Sequence, residues 1–155
     1  QRCAAAGITV SLTGVELSPV LASQAEQRIA PWGGKILRQN AVAAAESLPT
    51  GHFDLILLCC FLEHECQPLR LLIRLKELLA PRGVVLIKVP NFNSWNRLIR
   101  GTRWPGFRYP DHVNYFTPAT LKRLAQEAGF RMAPQGWFDC FPPSDNMYCE
   151  LSRAA

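Results

Sequence analysis

Taken as an order of apolar and polar positions, the chain is dominated by Phe53–His64, FDLILLCCFLEH. Apolar residues run without a break from Leu55 to Leu62, and the run stops abruptly on Glu63 and His64. A short apolar run without alternation predicts a parallel strand covered by helices on both faces. It is far too short to cross a bilayer. Open parallel sheets bind ligands beyond the carboxyl ends of their strands, so the polar end of this run matters most. Strands ending GVELSP (Gly14–Pro19) and VLIKVPN (Val85–Asn91) bring polar residues to the same rim.

The flanking pattern supplies the other elements. Gln1–Ala6 reads as the last turns of a helix stopped by Gly7. Ile8–Leu17 is rich in β-branched residues and predicts a strand, firm at Thr13–Leu17. Ser18 and Pro19 then supply a hydroxyl cap and a proline at the first helical position. Leu21, Ala25 and Ile29 are expected on the inner face of that helix. Lys35–Arg38 predicts a short strand leading to Asn40 and Ala41, and Ala43–Gly51 a connection of small residues with room for a helical turn. In the helix predicted at Pro68–Leu79, Leu72, Ile73, Leu75 and Leu79 face inward while Arg70, Arg74 and Glu77 stay wet.

The turn Ala80–Gly83 returns the chain to a strand at Val84–Val89, and Asn91–Tyr115 shows no sustained period. Thr117 and Pro118 open another capped helix, with Leu121, Leu124, Ala125 and Ala128 inward and Gly129 closing it. Phe130–Asp139 and Asn146–Arg153 are the last strand candidates, the second alternating Met147, Cys149 and Leu151 with Tyr148, Glu150 and Ser152. The whole predicts an α/β domain with a mainly parallel sheet and a terminal antiparallel pair.

Bulk numbers narrow this only a little. The 155 residues suffice for one domain with a real core, and 48% hydrophobic with 19% charged residues argues against disorder. A net charge of +5 favours approach of an anionic partner without naming one. The six cysteines form no C-x-x-C pair, so no metal site is read; reduced, mostly buried thiols in a cytoplasmic protein are expected.

Four segments in order carry a resemblance: GVELSP; FD before an apolar strand ending LEH; PRG-x-VLIKVPN; and PDHVNYFTPATLKRLAQEAGF. Together they resemble class I S-adenosylmethionine-dependent methyltransferases, in the small-molecule branch that includes ubiquinone-biosynthesis enzymes. The resemblance implies a Rossmann-like three-layer sandwich, S-adenosylmethionine as cofactor and a small-molecule methyl acceptor. It makes residues 1–155 one partial domain, with residues 92–116 as a lid or substrate segment. Glu16 would accept the ribose hydroxyls beside Ser18, with Leu17 against the adenine. Asn40 and Ala41 would stand at the adenine edge, where the family often has an acid, and Asn40 can still pair with an amine. Cys60, Phe61 and Leu62 would line the sulfonium end.

Methyl transfer needs a base only when the acceptor must lose a proton. His64 is the first candidate, oriented by Glu63, and His112 the second; for each, a structural role as a loop anchor stands beside the catalytic one. Arg97, Arg100, Arg103 and Arg108 are interleaved with Trp95, Trp104, Phe107 and Tyr109. They would recognise a phosphate or carboxylate on the acceptor, or cover the core with solvated arginines. Single-stranded nucleic acid ranks below both.

One family feature has no counterpart. An acid followed by G-x-G belongs roughly 20 residues before Glu16, and Gly7 and Gly14 do not form it. The expectation is a fragment whose first strand is missing. In the family that strand lies between the one ending at Glu16 and the one at Asp54–Cys60. The strand at Thr13–Leu17 should then stand off from Asp54–Cys60 or close onto it, and another chain, or a second copy, could fill the gap. A non-catalytic remnant or partner-binding module completed in that way is the main alternative to an enzyme.

Overall fold

The computed structural model describes residues 7, 9–133 and 135–154; the helix end expected at Gln1–Ala6 lies outside them. The chain forms two compact units, Gln1–Leu48 and Pro49–Ala155.

In the first unit, β1 (Thr13–Val15) and β2 (Lys35–Leu37) form a parallel ladder, with α1 (Pro19–Ile29) as the crossover. Ser18 caps α1 as expected, its hydroxyl accepting from Leu21 N at 3.4 Å. The expected inner face is out of phase: Ala22 is buried, Ala25 and Ile29 are half-buried, and Leu21 is exposed. Each helical residue turns about 100° from the last, so the stripe through Ala22 and Ile29 carries Leu21 off the core. The connection of small residues is a helix, α2 (Ala41–Ser47), capped by Asn40, whose side-chain oxygen accepts from Ala43 N at 2.8 Å. Its alanines give no apolar–polar contrast, yet Val42, Ala44 and Ala45 are buried.

The second unit holds a four-stranded sheet. Its strands are β3 (Phe53–Cys59), β4 (Leu79–Pro90), β5 (Phe130–Met132) and β6 (Asn146–Arg153), in the order β3-β4-β6-β5. β3 and β4 are parallel, while β6 runs antiparallel to both β4 and β5. The turn at Ala80–Gly83 is absorbed into β4 as a bulge: Phe53 pairs with Leu79, and the next pairing is Leu55 with Val84. Gly83 is required there, because a Cβ would sit 2.4 Å from the Phe53 carbonyl. The strand expected over Phe130–Asp139 ends at Met132, after which Gly136–Cys140 turns on the Asp139 carboxylate.

The buried face of this sheet carries Val85, Ile87, Val89, Met147, Cys149 and Leu151. Against it lie α3 (Pro68–Leu78), contributing Leu71, Leu72, Leu75 and Leu78, and α5 (Pro118–Glu127), contributing Leu121 and Ala125. Leu71 replaces the expected Ile73, which is exposed, because the buried stripe runs 71, 72, 75, 78. The other face is the larger surprise. Leu55 and Leu57 are 48% and 63% exposed and Leu86 is 39% exposed, so β3 is not covered on both sides. The same exposure overturns the expectation of mostly buried thiols. Cys59, Cys60 and Cys66 are exposed, Cys140 is half-buried and only Cys149 is buried; all five are free, and Cys3 lies outside the described residues. No helix among the described residues is long and apolar enough to cross a membrane.

Candidate active site

The end of β3 is shaped by one strained residue. Cys60 has φ +52°, a left-handed conformation uncommon for a residue with a Cβ. Its N–H still donates to the Lys88 carbonyl at 2.8 Å, so the ladder ends there and the chain turns at once. A 3-10 turn over Leu62–His64 follows, with Leu62 fully buried and Glu63 only 1% exposed. Partial burial pushes the Cys60 thiol up, and the nearby Glu63 charge adds to it.

A second segment, Asp111–Asn114, clamps this turn. Val113 N and Asn114 N donate to the Glu63 carbonyl at 2.9 and 3.0 Å. The Asn114 amide donates to the carbonyls of Leu62 and Glu65 at 3.2 and 2.7 Å. His64 Nδ1 lies 2.8 Å from the Asp111 carbonyl, and His112 Nδ1 lies 2.9 Å from the Gly106 carbonyl. The two imidazoles meet edge to face, 4.7 Å between centroids. The structure thus unites two histidines that the sequence offered separately. It also corrects the role of Glu63: the Asp111 carbonyl orients His64, while Glu63 Oε2 is buried without a hydrogen-bond partner. The clamp through Asn114, Asp111 and Gly106 went unread, because it is made mostly of backbone groups that leave no mark in residue type.

The segment between β4 and α5 is built on an anchor that was also missed. Asp145 accepts from Trp104 Nε1 at 2.6 Å, Asn96 Nδ2 at 2.7 Å and the Ser94 hydroxyl at 3.2 Å. Trp104 is buried in a cluster with Phe92 and Phe107, which Tyr115 extends. A short helix, α4 (Trp95–Arg100), rides on it. The four arginines divide: Arg97 stacks on Phe92 at 4.4 Å, Arg108 lies 3.8 Å from Asp111, and Arg100 and Arg103 are exposed.

In the first unit, Glu16 N donates to the Leu37 carbonyl at 3.0 Å, which fixes the residue just past β1. One carboxylate oxygen accepts from Ser18 N at 2.8 Å. Leu17 beside it is 67% exposed, and Ser18 is engaged as the cap of α1. A pinned carboxylate next to an apolar side chain suits a ribose with its adenine, so these residues fit a nucleoside cofactor. Asn40 is less free than its sequence position implied: its oxygen caps α2, so its amide N–H₂ is the group left for a base edge. Ala41 opens that helix.

Comparison with known proteins bears on the family and the fold. A family profile described as "Methyltransferase domain" matches residues 2–135. No curated protein matches the sequence. Among solved structures, a SAM-dependent methyltransferase from Archaeoglobus fulgidus superposes with TM-score 0.70 at 17% identity, covering 97% of this chain and 78% of that one. A Thermotoga maritima methyltransferase, described as a possible histamine N-methyltransferase, gives 0.69 at 16%, with 98% and 76% covered. The 4+2 cyclase SpnF gives 0.67 at 16%, with 96% and 68% covered. The shared architecture is the Rossmann-like α/β fold of these enzymes, and the chain belongs to the methyltransferase domain family.

Proposed function

We propose that the protein transfers a methyl group from S-adenosylmethionine to a small-molecule acceptor. Fold likeness alone does not carry this, since a cyclase shares the architecture. The observation that carries it is the Glu16 carboxylate, pinned by Ser18 N at the end of β1 where a ribose diol can be gripped. Bound there, S-adenosylmethionine supplies a methyl group already activated for transfer, so the protein's work is mainly positioning. In the first unit Glu16 takes the ribose and Leu17, Asn40 and Ala41 the adenine; in the second, Cys60 and Phe61 are the candidates for the sulfonium end, whereas the expected Leu62 is fully buried and offers no surface to it. His64 and His112 serve the acceptor, where a proton must be removed. Exposed Arg100 and Arg103 favour an acceptor carrying a phosphate or carboxylate.

One variant tests the role of His64. His64→Ala should lower turnover roughly 10²–10⁴-fold while cofactor affinity holds. Full turnover with a lowered melting temperature would instead make His64 a structural anchor.

A second reading rests on the bare side of β3. It ends the sheet of the second unit, its Leu55 and Leu57 are exposed, and the sequence holds no acid followed by G-x-G. On that reading a strand from outside these residues, from another chain or a second copy, completes the sheet and brings the cofactor loop.

A further inference from the structure

Glu63, His64 and His112 each offer one ligand atom, and the three atoms lie within 4.8 Å of one another. What surrounds them decides what they can hold. A backbone carbonyl can only accept, so the contacts at 2.8 and 2.9 Å place a proton on Nδ1 of both histidines. In the neutral rings each Nε2 is then a bare lone pair, the arrangement that metal-bound imidazoles show. Glu63 is 1% exposed, and its Oε2 has no hydrogen-bond partner among the described residues. A buried carboxylate oxygen left without a donor calls for an ion or a water to meet it.

We propose that Glu63, His64 and His112 bind a divalent transition-metal ion of the zinc class. Two imidazoles and one carboxylate suit zinc, cobalt or iron; magnesium and calcium prefer all-oxygen shells. The framework stands ready before the ion arrives. The Glu63 backbone is held by Val113 and Asn114, and His112 is buried with its ring fixed on Gly106. Ligand distances of about 2.0–2.2 Å draw the set closer than 4.8 Å, and exposed His64 is the member free to move inward.

Three protein ligands leave a coordination position open, the mark of a site that acts rather than one that only staples. Resting on the methyl-transfer reading, that position takes the acceptor's hydroxyl. The ion lowers the hydroxyl's pKa and its proton leaves to water; the oxygen then forms its bond to the methyl carbon as the sulfonium S–CH3 bond breaks, its electron pair staying on the sulfur of S-adenosylhomocysteine. The metal keeps its oxidation state throughout, and the histidines act as ligands instead of bases.

The test uses the whole protein, treated with chelator, dialysed and titrated with Co²⁺ as a visible probe. One equivalent should produce d–d absorption bands, Zn²⁺ should bleach them, and the melting temperature should rise with metal. Glu63→Gln and His64→Ala should each weaken Co²⁺ binding at least tenfold, with the fold of each variant checked by far-UV circular dichroism. Absent bands, unchanged affinity in both variants, or a sulfur-to-cobalt charge-transfer band from cysteine would each overturn the assignment. The titration contains no S-adenosylmethionine, so metal binding without cofactor binding would sink methyl transfer and leave the ion site standing.

Discussion

Cys60 shows how much one residue can fix at the end of a strand. Its left-handed backbone turns the chain from β3 into Leu62–His64, and glycine would adopt that conformation without strain. Cys60→Gly should therefore leave stability unchanged or raise it by up to ~1 kcal/mol in chemical denaturation; a loss larger than that would mean the side chain packs more than its exposure indicates. Asp145 makes the opposite case. Asp145→Ala strands the buried Trp104 N–H, and a loss of about 1–3 kcal/mol is expected from denaturant melts. Cys149 gives a pH dependence. Burial, with the Asp139 charge behind it, moves its thiol from 9.0 to about 12. A folded pKa above the unfolded one means the folded chain keeps the proton longer, so stability is full below pH 9 and is lost as pH rises from 9 towards 12. Cys149→Ala should show a shallower decline over that window, and an identical slope would refute the assignment. His64 and His112 were legible as residues, but their meeting depended on carbonyls at Asp111 and Gly106 that any residue could supply.

At the scale of elements, the sequence was most informative where contrast was strong. β6 has the bounds its alternation predicted, because Met147, Cys149 and Leu151 bury one face while Tyr148 and Glu150 stay exposed. α5 starts at its Thr117 cap, where the Thr120 side chain closes a capping box. Thr117→Ala should cost about 1 kcal/mol in thermal or denaturant unfolding, and a neutral result would show that packing of Leu121 and Ala125 alone holds the helix. Contrast failed for α2, whose alanines look alike on every face. It failed by a single position for α1 and α3, where runs such as Leu71–Ile73 offer several equivalent stripes. It misled for β3, because a continuous apolar run promises two covered faces and cannot say whether both covers are among these residues.

For the whole molecule, that bare face is the feature with consequences. Leu55, Leu57 and Leu86 form an exposed apolar patch beside a strand edge that has no ladder partner among the described residues, a combination that favours association. Leu57→Lys should reduce self-association in sedimentation while changing stability by less than about 0.5 kcal/mol; a large destabilisation would mean the face is covered within one chain. The central claim, however, is that this fold grips a nucleoside cofactor through Glu16. The direct measurement is a calorimetric titration of the protein and its Glu16→Gln variant with S-adenosylhomocysteine, the demethylated product. Saturable one-to-one binding, weakened by about 1–3 kcal/mol in the variant, is the predicted result. No binding, or equal affinity in both forms, would contradict it.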